Sequence, residues 1–165
     1  LSCPQPAARR HNRHKGQQPP KHIRPQRRQA AAPLAFPGGA QPPGGRLRVE
    51  HWANALNGGP AAARAMLGQD VAYDRVPYFF SDQYDVGLEY SGYAPPGSYD
   101  QVVCRGDVGK REFIAFWLSE GRLLAGMNVN VWDVVEPIQR LIRSGARLDP
   151  DDLANPSVPL ASLLP

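Results

Sequence analysis

The sequence predicts an α+β domain: an antiparallel β-sheet of about five strands with helices at its C-terminal end. Three observations predict it. The run from Glu112 to Trp132 has two apolar stretches, Glu112-Phe113-Ile114-Ala115-Phe116-Trp117-Leu118 and Leu123-Leu124-Ala125-Gly126-Met127-Asn128-Val129-Asn130-Val131-Trp132, around the polar Ser119-Glu120-Gly121-Arg122. Strand-forming residues flanking turn chemistry make a β-hairpin, and both runs are apolar enough to be inner strands. Other strand candidates follow one another from Tyr78 onward with connections too short for crossover helices, which requires antiparallel pairing. Val134 to Ser144 then shows a helical period, with Val135, Ile138, Leu141 and Ile142 on one face and Arg140 and Arg143 on the other.

The elements follow in chain order. Residues 1–45 hold eight Lys and Arg, no Asp or Glu, and Phe36 as their sole aromatic. Such a segment buries too little apolar surface to offset its chain entropy, so disorder is expected. Its charge suggests phosphate contacts, but the interleaved aromatics that support single-strand binding are missing. Nucleic acid is therefore not the expected partner. His11, His14 and His22 are scattered among the arginines without metal-ligand spacing. Residues 46–165 carry 11 of the 19 basic residues and all 15 acidic ones, a net of −4, so the basic balance of the whole chain says nothing about the domain surface.

Arg46 to Glu50 reads as a short strand, and His51 to Leu67 as a helix with Trp52, Ala55, Leu56, Ala63, Met66 and Leu67 near one face. Pro60 predicts a kink or a new start, and Gly68 a stop. Tyr78-Phe79-Phe80, Val86 to Gly92 and Tyr99 to Arg105 are strands, with Ala94-Pro95-Pro96-Gly97 as a loop. Gly145 ends the amphipathic helix. Asp149-Pro150-Asp151-Asp152-Leu153 has the capped start of a short last helix, and Pro156 to Pro165 is expected to pack on the sheet.

The residues themselves show no catalytic constellation. There is no Gly-rich phosphate loop before a helix and no nucleophile elbow. Ser81, Asp82 and His51 are triad residue types that nothing in the sequence brings together. Cys3 and Cys104 form neither a disulfide framework nor a metal site, and Cys104, between apolar strand residues, reads as a core thiol. No apolar run approaches the roughly 20 residues that span a bilayer, and the start lacks the apolar stretch of a signal peptide, so a cytoplasmic protein without a membrane partner is the default expectation.

Two segments go further. Arg48-Val49-Glu50-His51-Trp52-Ala53-Asn54-Ala55-Leu56-Asn57 with Pro60-Ala61-Ala62-Ala63-Arg64, and Pro77-Tyr78-Phe79-Phe80-Ser81-Asp82-Gln83-Tyr84 with Gly126-Met127-Asn128-Val129-Asn130, resemble the flavin-dependent ferredoxin reductases of the putidaredoxin reductase and biphenyl dioxygenase reductase type, related to apoptosis-inducing factor. The resemblance covers about residues 46–165. It implies three parts: segment 1–45, a strand and helix left from the FAD-binding domain at 46–70, and the reductase C-terminal domain at 71–165. It also implies FAD and NAD(P)H as cofactors of the intact enzyme and a 2Fe-2S ferredoxin as its electron acceptor. By the same resemblance, Glu50 lies near the nicotinamide end, His51 and Trp52 lie against the pyrimidine end of the flavin, and Phe80 stands at the flavin edge. Many relatives have Trp where Phe80 stands; Phe keeps the apolar shield and loses the indole donor.

The family's two Gly-x-Gly-x-x-Gly fingerprints and the Gly-Asp segment that holds the FAD ribityl and phosphates are absent from this sequence. Residues 1–45 have the Arg, Pro, Ala, Gly, Gln and His content of GC-rich DNA read in a wrong frame. The expectation is a C-terminal reductase fragment behind a frame-shifted leader, binding neither FAD nor NADH by itself, inactive alone, and exposing the face of 46–70 that packs on the FAD domain. Two alternatives are a binding module with a basic disordered arm and a subunit that works beside a separate nucleotide-binding polypeptide.

Overall fold

The computed structural model describes residues 47–165, so the expected disorder of 1–45 lies outside the described residues. The elements are α1 (Trp52–Met66), β1 (Tyr78–Gln83), β2 (Val86–Gly92), β3 (Gln101–Asp107), β4 (Glu112–Ser119), β5 (Arg122–Val129), α2 (Val135–Ser144) and α3 (Pro150–Ala154), then a 3-10 turn at Leu160–Leu163. The five strands form one sheet in the order β1-β2-β5-β4-β3, with every neighbouring pair antiparallel. Strands β3, β4 and β5 are joined by hairpins and β2 returns beside β5, which is a Greek-key arrangement.

The predicted central hairpin is β4–β5. Its turn residues Glu120 and Gly121 have φ of 49° and 76°, the positive pair of a type I′ turn, whose twist matches the strands. Trp117 pairs with Ala125 and Leu118 with Leu123, so Leu124 is the extra residue of a β-bulge. The Leu124 carbonyl accepts from the Tyr93 N–H at 3.2 Å. Gly92, at φ +100°, passes so close that a Cβ there would lie 2.2 Å from that carbonyl oxygen. Bulge and glycine together let the chain leave β2 and cross to β3.

Helix α2 buries Ile138, Leu141 and Ile142 against β2 and β5. Gly145 ends it in the left-handed region, donating to the Ile142 carbonyl. Asp149 caps α3 by accepting from the Asp151 N–H at 2.9 Å. The C-terminal segment packs as expected: Leu160 is buried in the same cluster as Phe116, Leu118, Ile138, Leu141 and Leu153. Arg105 holds it by donating to the carbonyls of Leu153, Pro156 and Val158.

Three expectations are corrected, and of the two outcomes expected at Pro60 the new start does not occur. Residues 47–50 are not a strand; no neighbouring strand among the described residues offers them a ladder. Helix α1 runs through Pro60 without a new start. The carbonyl deprived of its partner belongs to Leu56, which is 57% exposed, so water can serve it. Strand β5 ends at Val129, before Val131 and Trp132, because Asn130 and Asp133 take positive φ. Cys104 is exposed, not a core thiol. It sits on edge strand β3, where alternation turns Val103 and Arg105 toward the helices and Cys104 and Val102 to the other face.

The expected exposure of α1 is found. Ala61 is its one buried residue, while Trp52, Met66 and Leu67 are each more than two thirds exposed.

Candidate functional site

The α1 N-terminus is built by the extended residue His51. Its carbonyl accepts from the Asn54 and Ala55 N–H groups at 3.0 and 3.1 Å, its side chain makes no cap, and no acidic residue lies in the first turn. The N–H groups of Trp52 and Ala53 therefore have no partner among the described residues. Free N–H groups and the aligned peptide dipoles make such an end electropositive. Asn54 donates to the Val49 carbonyl at 2.8 Å and accepts from the Tyr73 hydroxyl at 3.0 Å, which ties the segment before the helix and the connector after it to α1.

Aromatic stacking docks this end on the sheet. The His51 ring stacks on Phe79 at 4.6 Å and 20°, Phe79 on Tyr90 at 5.2 Å, and Tyr90 meets Trp117 at 5.7 Å. That line crosses the sheet on the face opposite α2. The His51 ring stacks on Phe79, and no hydrogen bond among the described residues joins it to Ser81 or Asp82.

Alternation along β1 puts Phe80 on the other face from Phe79. Phe80 is 53% exposed and Trp52 71%; Glu50 is exposed and His51 half-buried. The four residues singled out by resemblance thus lie on α1, on the residues leading into it, and on β1, the strand that α1 contacts. His51 is brought onto β1 directly, whereas Glu50, Trp52 and Phe80 present open surface.

Sequence reasoning missed the polar group behind Phe80. Glu89 is the residue paired with Phe80 across β1–β2. Its carboxylate accepts from the Tyr78 hydroxyl at 2.7 Å and from the Asn128 Nδ2 at 2.8 Å. Asn128, 1% exposed, also donates to the Val131 carbonyl at 2.6 Å. Burial, then the hydrogen bond to Glu89 and its negative charge, push the Tyr78 phenol up to about 12. The available signal was Glu89 within an otherwise strand-like run.

The resemblance-bearing run 126–130 proves to be a fastening of the fold. Gly126 admits α2, since a Cβ there would meet Ile138 Cγ2 at 2.7 Å. Asn130 takes φ 50°, accepts from the Gly87 N–H at 2.8 Å and donates to the Asp85 carbonyl at 3.1 Å. It closes the β1–β2 hairpin that carries Phe80.

Among the described residues, no group of His, Cys, Asp or Glu could hold a metal ion, and no helix is long and apolar enough to cross a membrane. A cavity of about 140 Å³ between α1 and α2 is lined by Asn54, Tyr73, Arg75, Tyr78, Gln139 and Arg143 among others, without a carboxylate. An FAD-sized group would find an electropositive helix end and open aromatics here, but no phosphate cradle among the described residues.

The family described as Reductase C-terminal matches residues 78–164. The anthranilate 1,2-dioxygenase system ferredoxin–NAD(+) reductase component of Burkholderia cepacia is 38% identical over 122 residues, covering 73% of this chain and 30% of its own length. The 5,5'-dehydrodivanillate O-demethylase ferredoxin reductase subunit of Sphingobium sp. is 36% identical over 120 residues, covering 73% of this chain and 29% of its own. The crystal structure of the covalent putidaredoxin reductase–putidaredoxin complex contains a chain that superposes with a TM-score of 0.64 at 30% identity, covering 71% of this chain and 28% of that one. The chain thus spans about 30% of the length of these relatives.

Proposed function

The chain belongs to the reductase C-terminal family, and from that premise we propose that it is the C-terminal part of a flavoprotein that passes electrons from NAD(P)H through FAD to a 2Fe-2S ferredoxin. Residues 46–70 are then the end of the FAD-binding domain and 71–165 the C-terminal domain. The names of the two relatives and the putidaredoxin bound in the structural neighbour support this reading.

The observation that carries it is an unsatisfied α1 N-terminus that opens on the exposed Trp52, with a second open aromatic, Phe80, on β1, the strand that α1 contacts. A planar cofactor covers such aromatics, and a helix N-terminus favours negative charge. FAD, when bound, accepts a hydride and releases single electrons. This chain's own residues have narrower tasks. The free N–H groups of Trp52 and Ala53 would hold the pyrimidine end of the flavin and would favour negative charge on it. His51, held by Phe79, orients that helix end. Phe80 and Trp52 would shield the ring from water, and Glu50 would stand toward the nicotinamide end.

The phosphate and ribityl parts of FAD need residues that 47–165 do not supply, so the chain alone is expected to be colourless and inactive with NADH. The test grafts residues 46–165 in place of the matching stretch of the Burkholderia cepacia reductase component. A yellow hybrid that NADH bleaches supports the reading, with the flavin spectrum altered in Trp52→Ala and Phe80→Ala. A folded but colourless hybrid would refute the cofactor role. Stoichiometric flavin on the chain alone would refute the fragment reading. Reading the DNA before codon 46 in all frames tests the boundary: a continuing reductase in another frame makes 1–45 a frame error.

A further inference from the structure

We propose that Glu89 is the positioning residue for Phe80: its carboxylate ties the edge strand β1 to β5 across β2 and fixes the Tyr78 ring as the wall beside which Phe80 stands. The inference rests on the cofactor-facing reading of Phe80 for its purpose, and on the geometry of three strands for its substance.

Phe80 needs such a device. It lies on an edge strand, half open to solvent, and its one aromatic neighbour among the described residues is Tyr78, with ring centroids 6.5 Å apart at 36°. Tyr78 and Phe80 are two residues apart on the same strand face, so the direction of one ring limits the other. The Tyr78 hydroxyl reaches diagonally across the β1–β2 pair to Glu89 Oε1 at 2.7 Å. The second carboxylate oxygen, Oε2, accepts from Asn128 on β5 at 2.8 Å. With both oxygens engaged on opposite sides, the carboxylate has one orientation.

Asn128 has one as well. It is 1% exposed, and its Nδ2 serves both Glu89 and the Val131 carbonyl. Flipping the amide would aim an oxygen at two acceptors, so the assignment of nitrogen and oxygen is fixed by the network. Asn128, Glu89 and Tyr78 therefore form a rigid bridge from the inner strand to the edge. Hydrogen bonds to a carboxylate are the strong ones, roughly twice a neutral pair. Near Tyr78, Asp82 supplies a second negative charge, but no hydrogen bond from Tyr78 to Asp82 is formed among the described residues.

The variants Glu89→Gln, Glu89→Ala and Tyr78→Phe separate positioning from bulk structure, and the chain itself is used without flavin. Aromatic-labelled NMR follows the Tyr78 phenol through alkaline pH and the Phe80 ring by its contacts to residue 78. In the native chain Tyr78 stays protonated to about 12. In Glu89→Gln a single oxygen remains for two donors, Tyr78 and Asn128, so one of the two bonds is lost: the Phe80 contacts loosen and the phenol titrates closer to the ordinary value of 10.0. In Glu89→Ala both change: the phenol pKa falls and the Phe80 contacts are lost. Tyr78→Phe removes the same hydrogen bond with the carboxylate retained, and loses the Phe80 geometry without relying on the Ala variant folding. Phe80 resonances that coincide with the native ones in Glu89→Ala or Tyr78→Phe would overturn the proposal. The cofactor reading fails separately, by a colourless hybrid in which Phe80 still depends on Glu89.

Discussion

Gly126 to Ala tests how closely α2 is seated on the sheet. The added methyl would lie 2.7 Å from Ile138 Cγ2, 3.4 Å from its Cδ1 and 3.6 Å from its Cγ1. Carbon atoms in contact prefer about 3.5–4.0 Å, so one partner must withdraw by about 1 Å. Ile138 is fully buried and cannot turn toward solvent, so the helix itself must lift. Overpacking of this kind costs about 1–3 kcal/mol, against a total stability of about 5–15 kcal/mol for a domain. With a urea dependence of about 1–3 kcal/mol per molar, the unfolding midpoint should fall by about 1 M. The control is a double-mutant cycle. Ile138→Ala alone leaves a cavity and costs about 2–5 kcal/mol. In the double variant the new methyl enters that cavity, so the combined loss should be smaller than the sum by about 1–3 kcal/mol. A Gly126→Ala midpoint equal to the native one, or strict additivity in the cycle, would refute the close approach.

Asn128→Ala strips the donors from Glu89 Oε2 and the Val131 carbonyl; urea unfolding should show a loss of about 1–3 kcal/mol. Glu120→Gly should stabilise by about 0.5–1 kcal/mol, because Glu120 sits at φ 49° in the hairpin turn and a non-glycine residue is strained there; its exposed 4.0 Å pairing with Arg147 contributes little. Tyr78 has its folded pKa raised to about 12 from the ordinary 10.0. Its stabilisation is complete below pH 10 and lost as pH rises through about 12, so the native chain should lose stability in that window relative to Tyr78→Phe in parallel denaturant titrations. Cys104, exposed on β3, should react with a thiol reagent in the native chain without denaturant, and Cys104→Ser should remove one fast-reacting thiol.

The sheet was legible where burial is set locally. The β4–β5 runs are apolar on both faces, and both faces of those strands are covered: Phe116 and Leu118 by the helices, Ala115 and Ala125 by the aromatics around them. Helix α2 announced itself by its 3.6 period and the α3 start by Asp149-Pro150. What was not legible depends on who neighbours whom. That β3 is an edge follows from the return of β2 beside β5, a long-range choice, and it alone decides that Cys104 is exposed. In β2, alternation suggests Glu89 and Ser91 facing water and Leu88 and Tyr90 facing the core. The opposite holds for Ser91, which is 2% exposed and accepts from Gln139 of α2, while Tyr90 joins the stack leading to His51. A polar residue on a strand signals water only when no helix with matching donors covers that face, and the covering helix lies 48 residues away.

The same separation explains why the residues of the candidate site could be named from sequence but not their support. Phe80 and Trp52 stand largely open to solvent, so packing does not dictate their identity. Their placement is not free. The hairpin that carries Phe80 is tied to β5 by Asn128 through Glu89 and by Asn130 through Gly87 and Asp85, and Arg111 grips Asp85 from the β3–β4 turn at 2.6 Å. Gly126 on the same strand sets the height of α2, which in turn holds Ser91 through Gln139. Gly126 and Asn128 share one strand parity and therefore one face, and Asn130 follows just past the strand's end, so a single stretch of chain transmits the position of the helix to the position of the hairpin. A rim aromatic can then be exchanged without disturbing the fold, whereas a change at Gly126 or Asn128 moves the rim without touching it.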